Sequence, residues 1–178
     1  MNQLGDVVAH DGVCIERLLP GPIDRVWSYL VDSQKRRTWM AAGEIELRPG
    51  GRAEFIMECD SFAEKGDLAP PKYADANGSR NLSEVIECEP PRLLTYHWIH
   101  AVDLRSEVRF ELTTRNDKVL LTLTHRRLPT RDALLSVSAG WHNHLDILAA
   151  RLSGEEPRSF WKNMMELERL YEPRIPQW

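Results

Sequence analysis

Four consecutive segments between residues 82 and 128 constrain the fold of this chain more than any other feature. Their apolar and polar residues tend to alternate, and only short turns separate one segment from the next. A period of two is typical of a β-strand with one buried face, and short turns join antiparallel neighbours. The sequence therefore predicts an antiparallel meander with one apolar face that another element has to cover. The predicted strands are 82–89, 93–100, 104–114 and 118–128.

The helical pattern after these strands is the longest in the chain and provides the cover. It begins at about Arg131, directly after Thr130, and Gly154 is suited to end it because glycine readily adopts positive φ. Its largest apolar residues recur along one stripe: Trp141, Leu145, Leu148 and Leu152. A sheet with one apolar face and one long amphipathic helix predict an α+β domain in which the helix packs on the sheet.

The residues before the meander predict a strand followed by two short helices. The strand covers 12–19 and stops at a Pro-Gly-Pro sequence, and the helices are expected at about 22–30 and 33–39. A short strand at 44–47 and a half-buried strand at 53–59 complete the pattern. We therefore expect six to seven strands in total, with the two short helices after the first strand.

Residues 60–82 have no periodicity. A connection of that length in a compact domain is often a lid or a disordered insert, and we expect one of these here. Because no other segment interrupts the pattern, the sequence predicts a single domain over 1–178 with its core at 12–154.

A C-terminal helical extension, residues 155–178, follows the long helix. One face of its predicted helix contains Phe160, Trp161, Met164 and Met165. That face either docks on its own domain or forms a homodimer contact. We favour the homodimer, because aromatic and Met side chains are enriched at protein interfaces.

The composition argues against several classes of partner. The formal net charge is −4 and the pI is about 5.9, which disfavours nucleic acid or an anionic membrane as the main partner. No segment approaches the roughly 18 apolar residues of a membrane span, and the first residues do not resemble a signal peptide. We therefore expect a cytoplasmic protein whose three cysteines, all in predicted strands, are free thiols: Cys14, Cys59 and Cys88.

Several motifs follow one another along the chain: a helix start at Pro22 to Trp27, Trp39 after a short helix, RPGGRAEF at 48–55, EVIECEPPRLLTYHW at 84–98, VRFELT at 108–113, LLTLTH at 120–125 and GWHNHLDILAARLSG at 140–154. In type and order they resemble the START-like, Bet v1-like superfamily. Within it they are similar to the branch of the C-terminal domain of the activator of Hsp90 ATPase. The resemblance covers residues 12–154, whereas the 60–82 connection and the tail extend beyond the common pattern.

This resemblance implies a helix-grip fold, in which a curved antiparallel sheet wraps around the long helix. It also implies binding of lipids, sterols, polyketides or other hydrophobic molecules, and some members are aromatases or cyclases. A curved sheet that grips a helix leaves an internal cavity unless large side chains fill it.

The side chains expected to line such a cavity are apolar and aromatic residues of the strands and the long helix, together with one histidine. The same residue types equally fill cores, so individual ligand contacts stay open. The predicted ligand-binding residues are Phe55, Met57, Tyr96, Trp98, Phe110, Leu121, Leu123, His125, Trp141 and Leu145.

His125 is the candidate for catalysis. It shares strand parity with Leu121 and Leu123, so it is predicted to face the cavity. A neutral imidazole there can bond a ligand or transfer a proton. The alternative, which we favour, is a core histidine whose nitrogens are satisfied by the backbone.

No metal or cofactor is expected. His97 and His100 fall on opposite faces of a strand, and His142 and His144 point in different directions on a helix, so neither pair easily shares an ion.

Three functions remain, in order of preference. The first is a protein that binds a small hydrophobic molecule without turnover. The second is a cyclase or dehydratase-like enzyme, with His125 or Tyr96 directing proton transfer. The third is a co-chaperone module similar to an Hsp90 activator.

Overall fold

The computed structural model describes residues 3–101 and 104–177, and within these ranges eight strands form one antiparallel sheet. The strands are β1 (Asp6–Val8), β2 (Gly12–Pro20), β3 (Ala41–Ala42), β4 (Arg52–Met57), β5 (Arg80–Glu89), β6 (Leu93–Ala101), β7 (Leu104–Arg115) and β8 (Lys118–Arg126). Their order across the sheet is β1-β2-β8-β7-β6-β5-β4-β3. The N-terminal hairpin therefore pairs with the last strand of the meander, and the sheet is the curved α+β arrangement expected of a helix-grip fold.

Four α-helices accompany the sheet in the described part of the chain: α1 (Ile23–Val31), α2 (Ser33–Arg36), α3 (Arg131–Ser153) and α4 (Phe160–Tyr171). The two short helices follow β2, as predicted. Asp32 caps α2, because its carboxylate accepts the backbone N–H of Lys35 at 2.9 Å. None of the helices within 3–101 and 104–177 is long and apolar enough to cross a membrane.

The long helix α3 begins and ends where its sequence signals predict. The Thr130 hydroxyl accepts the backbone N–H of Ala133 at 3.1 Å, which caps the first turn. Gly154 ends the helix with a φ of 73°. The predicted apolar stripe is buried against the sheet: Trp141, Leu145, Leu148 and Leu152.

The edge of the sheet differs from the sequence prediction. The strand expected at 44–47 is not formed, and its place is taken by the shorter β3, followed by a single bridge between Ile45 and Ala53. The chain turns at Gly43, which has a φ of 111° and lies so close to the Glu54 carbonyl that a side chain would collide with it. The sequence analysis did not predict β1 and β3, because strands of three and two residues are too short to show periodicity. With these two strands the described sheet has eight.

The C-terminal extension packs on its own domain. α4 lies against α3, and its apolar face is buried: Phe160, Trp161, Met164, Leu167 and Tyr171. Three residues of the predicted contact face, Phe160, Trp161 and Met164, are therefore not available for the homodimer contact that we favoured, and the fourth, Met165, is half-buried. A homodimer through another surface stays a prediction.

A buried polar network connects both termini to α3. The Tyr171 hydroxyl accepts the backbone N–H of Gly5 at 2.7 Å and lies 3.1 Å from His142 Nδ1. His142 Nε2 lies 3.3 Å from Asp146 Oδ2, and Arg17 Nε donates to Asp146 Oδ1 at 3.1 Å. The hydroxyl of Tyr171 thus links the N-terminal residues to α3 and α4.

We expect Tyr171→Phe to lower the free energy of unfolding by about 1–3 kcal/mol, because it leaves a buried N–H and an imidazole nitrogen without their partner. The measurement is urea denaturation followed by circular dichroism. Tyr29→Phe is the matched control, since Tyr29 is half-buried and its hydroxyl makes no hydrogen bond with the described residues. Equal stability of the two variants would contradict a stabilising role for the Tyr171 hydroxyl.

Candidate functional site

Part of the space between α3 and the sheet is not filled by side chains and forms a cavity of about 260 Å³. Its walls come from α3, from three strands and from residues 58–79, the connection between β4 and β5, which we call the lid segment. The α3 residues that line it lie on one face at helical spacing: Ser136, Val137, Gly140, Trp141 and His144.

Three strands contribute one side chain each to the cavity wall: Met57 from β4, Trp98 from β6 and His125 from β8. Together with Trp141, these are four of the ten ligand-binding residues predicted from the sequence. The structure therefore brings these four around one cavity, and their contact with a ligand stays a prediction.

The other six predicted residues lie in the packed core. The rings of Phe55 and Tyr96 have centroids 4.7 Å apart, and Phe110 packs at 5.6 Å against the ring of Trp141. These rings fill the space beside Trp141 and confine the cavity to the side nearer the lid segment. The six that are absent from the cavity wall are Phe55, Tyr96, Phe110, Leu121, Leu123 and Leu145.

Sequence reasoning missed the residues that the lid segment contributes to the wall, and on α3 it selected only the large side chains of Trp141 and Leu145. Val137 precedes Trp141 by one helical turn and His144 follows it by three residues, so helical spacing could have identified both. No comparable signal marks Ala76 or Ser79 of the lid segment, because their position depends on the path of a segment without periodicity.

The lid segment is held to α4 by a buried carboxylate. Asp67 Oδ2 accepts the backbone N–H of Trp161 at 3.0 Å and of Lys162 at 3.3 Å, and it also accepts the Ser159 hydroxyl. These N–H groups belong to the first turn of α4, where backbone N–H groups have no acceptor within the helix. The helix dipole also favours a negative charge at this end of the helix. Asp67 therefore caps α4 from a distant part of the chain.

A second set of contacts joins the lid segment to the same helix. The ring of Tyr73 stacks on Trp161 with centroids 5.9 Å apart, and its hydroxyl donates to Glu168. Lys72 Nζ lies 2.7 Å from the same carboxylate. The connection predicted as a lid or insert is therefore ordered and packed on the C-terminal extension, and Cys59, predicted in a strand, begins a short 3-10 turn within it.

His125 is engaged at both ring nitrogens. The indole N–H of Trp141 donates to Nδ1 at 2.8 Å, so the proton of the neutral ring lies on Nε2. Nε2 then donates to Ser106 Oγ at 2.6 Å, and that hydroxyl lies 2.7 Å from Nε2 of His100. This tautomer cannot accept a proton from Ser106, so the pair lacks the arrangement of an activated nucleophile. Burial, and then the nearby His100, lower the pKa of His125 to about 3.

His144 is buried and holds the opposite tautomer. Its Nδ1 lies 2.7 Å from the Trp39 carbonyl oxygen, which can only accept, so Nδ1 carries the proton. Burial lowers the pKa of His144 to about 4, although the bond to the carbonyl acts in the other direction. The neutral ring therefore keeps a lone pair on Nε2.

The remaining titratable groups of the wall are neutral as well. Burial, and then the hydrogen bond to Glu168, raise the pKa of Tyr73 well above its usual value. Burial, and then Asp60, raise the pKa of the Cys59 thiol to about 12. Within 3–101 and 104–177, no cluster of three His, Cys, Asp or Glu residues could hold a metal ion. The chemistry that this site offers is apolar contact and hydrogen bonding.

The family model described as "Activator of Hsp90 ATPase homolog 1-like protein" matches residues 20–153. The solution structure of the protein encoded by gene BPP1335 of Bordetella parapertussis is 38% identical over 99% of this chain and 92% of that chain, with a TM-score of 0.82. No curated protein is significantly similar to the chain.

Two further solved structures are more distant and show the fold alone. CalU16 from Micromonospora echinospora is 24% identical over 93% of this chain and 89% of that chain, with a TM-score of 0.68. DynU16, described as a putative protein in the dynemicin biosynthetic locus, is 22% identical over 84% of this chain and 50% of that chain, with a TM-score of 0.61.

We expect His125 and His144 to remain neutral at pH 5 and to hold opposite tautomers, His125 with its proton on Nε2 and His144 with its proton on Nδ1. Long-range proton–nitrogen NMR spectra distinguish the two tautomers and the charged form. The same tautomer in both buried rings would contradict the hydrogen-bond assignment.

We also expect the free energy of unfolding to fall as the pH decreases from about 6.5 to 4. Folded His125 and His144 have pKa values of about 3 and about 4, whereas unfolded histidine titrates at about 6.5. The unfolded chain therefore binds more protons within this window, and acid favours unfolding. Urea denaturation at several pH values measures the slope, and a stability that rises towards pH 4 would be inconsistent with two buried neutral histidines.

Proposed function

The chain belongs to the family of activator of Hsp90 ATPase homolog 1-like proteins, and on that premise we propose that it binds one small, neutral, largely apolar molecule in the cavity beneath the lid segment. The observation that carries this proposal is the cavity itself, which is bounded by α3, the sheet and the lid segment. Met57, Trp98 and Trp141 give it a mainly apolar wall. Pockets of this composition are typical of small-molecule sites.

The size of the cavity supports a ligand of one or two fused rings. A cavity of about 150 Å³ lined by apolar side chains accepts benzene, and the cavity here measures about 260 Å³. The indole rings of Trp98 and Trp141 offer flat surfaces, and the flexible Met57 can adapt to an irregular outline.

The absence of charge in the wall supports a neutral ligand. None of the described residues that line the cavity is Asp, Glu, Lys or Arg. An ion without a charged partner loses its hydration on entering such a site and gains little in return. Carboxylic acids and amines are therefore poor candidates.

Binding without turnover has more support than the cyclase-like alternative. Both ring nitrogens of His125 are engaged by Trp141 and Ser106, and Tyr96 is buried in the core beside Phe55. Neither residue is arranged to transfer a proton to a molecule in the cavity. A co-chaperone role would use an exposed surface, and it does not account for the cavity.

The cytoplasmic location belongs to the same proposal. Cys14, Cys59 and Cys88 are free thiols, which favours a reducing compartment.

The test of the proposed function is native mass spectrometry of the purified protein, followed by denaturing extraction. We expect one small apolar adduct per chain. Val137→Phe should reduce its occupancy at least severalfold, because Val137 lies on the cavity face of α3. Leu170→Phe is the matched control, since Leu170 packs on the core outside the cavity and should retain the adduct.

If both variants retain the adduct, the ligand lies elsewhere and the proposal is wrong. Empty protein from several expression hosts, together with no binding of added one- or two-ring compounds, would also contradict it.

A further inference from the structure

His144 differs from the other polar residues of the cavity wall in having a strong acceptor atom without a partner. Its Nδ1 is bound to the Trp39 carbonyl, and its Nε2 makes no hydrogen bond within 3–101 and 104–177. The side chain is only 6% exposed, so bulk water reaches it poorly. Nε2 is nevertheless not among the atoms sealed inside the protein without a partner, so it borders open space. His144 lines the cavity, so that space is where a partner for Nε2 could sit.

The orientation of the His144 ring is determined by its surroundings. The ring packs against Phe160 at 5.0 Å and meets the edge of Phe62 at 6.1 Å. Together with the bond to Trp39, these contacts prevent the ring from rotating freely. Nε2 is therefore a preorganised acceptor.

The other polar groups of the wall are already engaged. His125 uses both nitrogens, and the Tyr73 hydroxyl donates to Glu168. The Ser79 hydroxyl donates to the Ala76 carbonyl at 2.7 Å, and Ser136 lies 3.5 Å from Glu168.

Trp98 is the one donor of the wall without a partner in the described residues, but its side chain is partly exposed and water can serve its N–H. His144 Nε2 is thus the acceptor that depends most on a ligand.

We propose that the ligand carries an N–H or O–H group that donates to Nε2 of His144. This inference rests on the proposed function and specifies its ligand class: a neutral compound of one or two fused rings with a hydrogen-bond donor at its edge, such as an indole or a phenol. A ring compound whose only heteroatom is an acceptor would leave two acceptors facing each other, which costs free energy in a buried site.

The test compares indole with benzofuran, which have nearly the same shape and differ in an N–H against an ether oxygen. Isothermal titration calorimetry is performed on full-length protein that native mass spectrometry shows to be free of ligand. We expect indole to bind roughly tenfold more tightly, the effect of leaving a buried acceptor unpaired. In nitrogen NMR spectra of the wild type, indole but not benzofuran should shift the Nε2 resonance of His144.

Two variants assign the preference to one residue. His144→Phe should remove the preference for indole, so that both compounds bind equally. Ser138→Ala is the matched control, because it removes a buried hydroxyl of α3 that does not line the cavity and should leave the preference unchanged. If His144→Phe fails to fold, the Nε2 shift in the wild type still decides the question.

Each outcome has a distinct meaning. Equal binding of indole and benzofuran by the wild type overturns the inference and leaves the proposed function intact. A preference for indole that persists in His144→Phe also overturns it. Binding of neither compound also overturns the inference, and it contradicts the proposed function only if native mass spectra from several hosts are empty as well.

Discussion

The need to remove one apolar face of the sheet from water is the constraint on which the rest of this structure depends. Burial of apolar surface contributes about 25 cal/mol per Å², and α3 is the element long enough to cover this face. Its stripe from Trp141 to Leu152 lies buried there, between a Thr130 cap and a left-handed Gly154. With α3 in this position, the chain that follows has to return along it, and α4 packs on the same helix.

The cavity arises where α3 and the sheet do not fill the space between them. Ser136 and Gly140 occupy little volume on the cavity face of the helix. Farther along α3, Leu145, Leu148 and Leu152 are buried in the core. The lid segment covers this gap and is in turn held by α4 through Asp67. Unfilled apolar space costs stability, because the atoms around it lose dispersion contacts. A ligand that fills the space restores those contacts and stabilises the folded state.

Hydrogen bonding inside the protein decides what its two cavity histidines can do. Both are buried and neutral, yet the Trp141 N–H and the Trp39 carbonyl select opposite tautomers. As a result His125 has no free nitrogen, whereas His144 keeps an acceptor lone pair on Nε2. The same residue type therefore has a structural role in one position and a recognition role, in our proposal, in the other.

The sequence by itself determined the order and type of the longer elements and the ends of α3. These follow from local geometry, since strand alternation, helical spacing and capping each involve residues close in the chain. It did not distinguish Met57 and Trp98, which line the cavity, from Phe55 and Tyr96, which fill the core. All four lie on one face, and parity carries no information about position along it. The tertiary structure alone decided the extent of the cavity, the path of the lid segment and the tautomers of His125 and His144, because each depends on contacts between residues far apart in the chain.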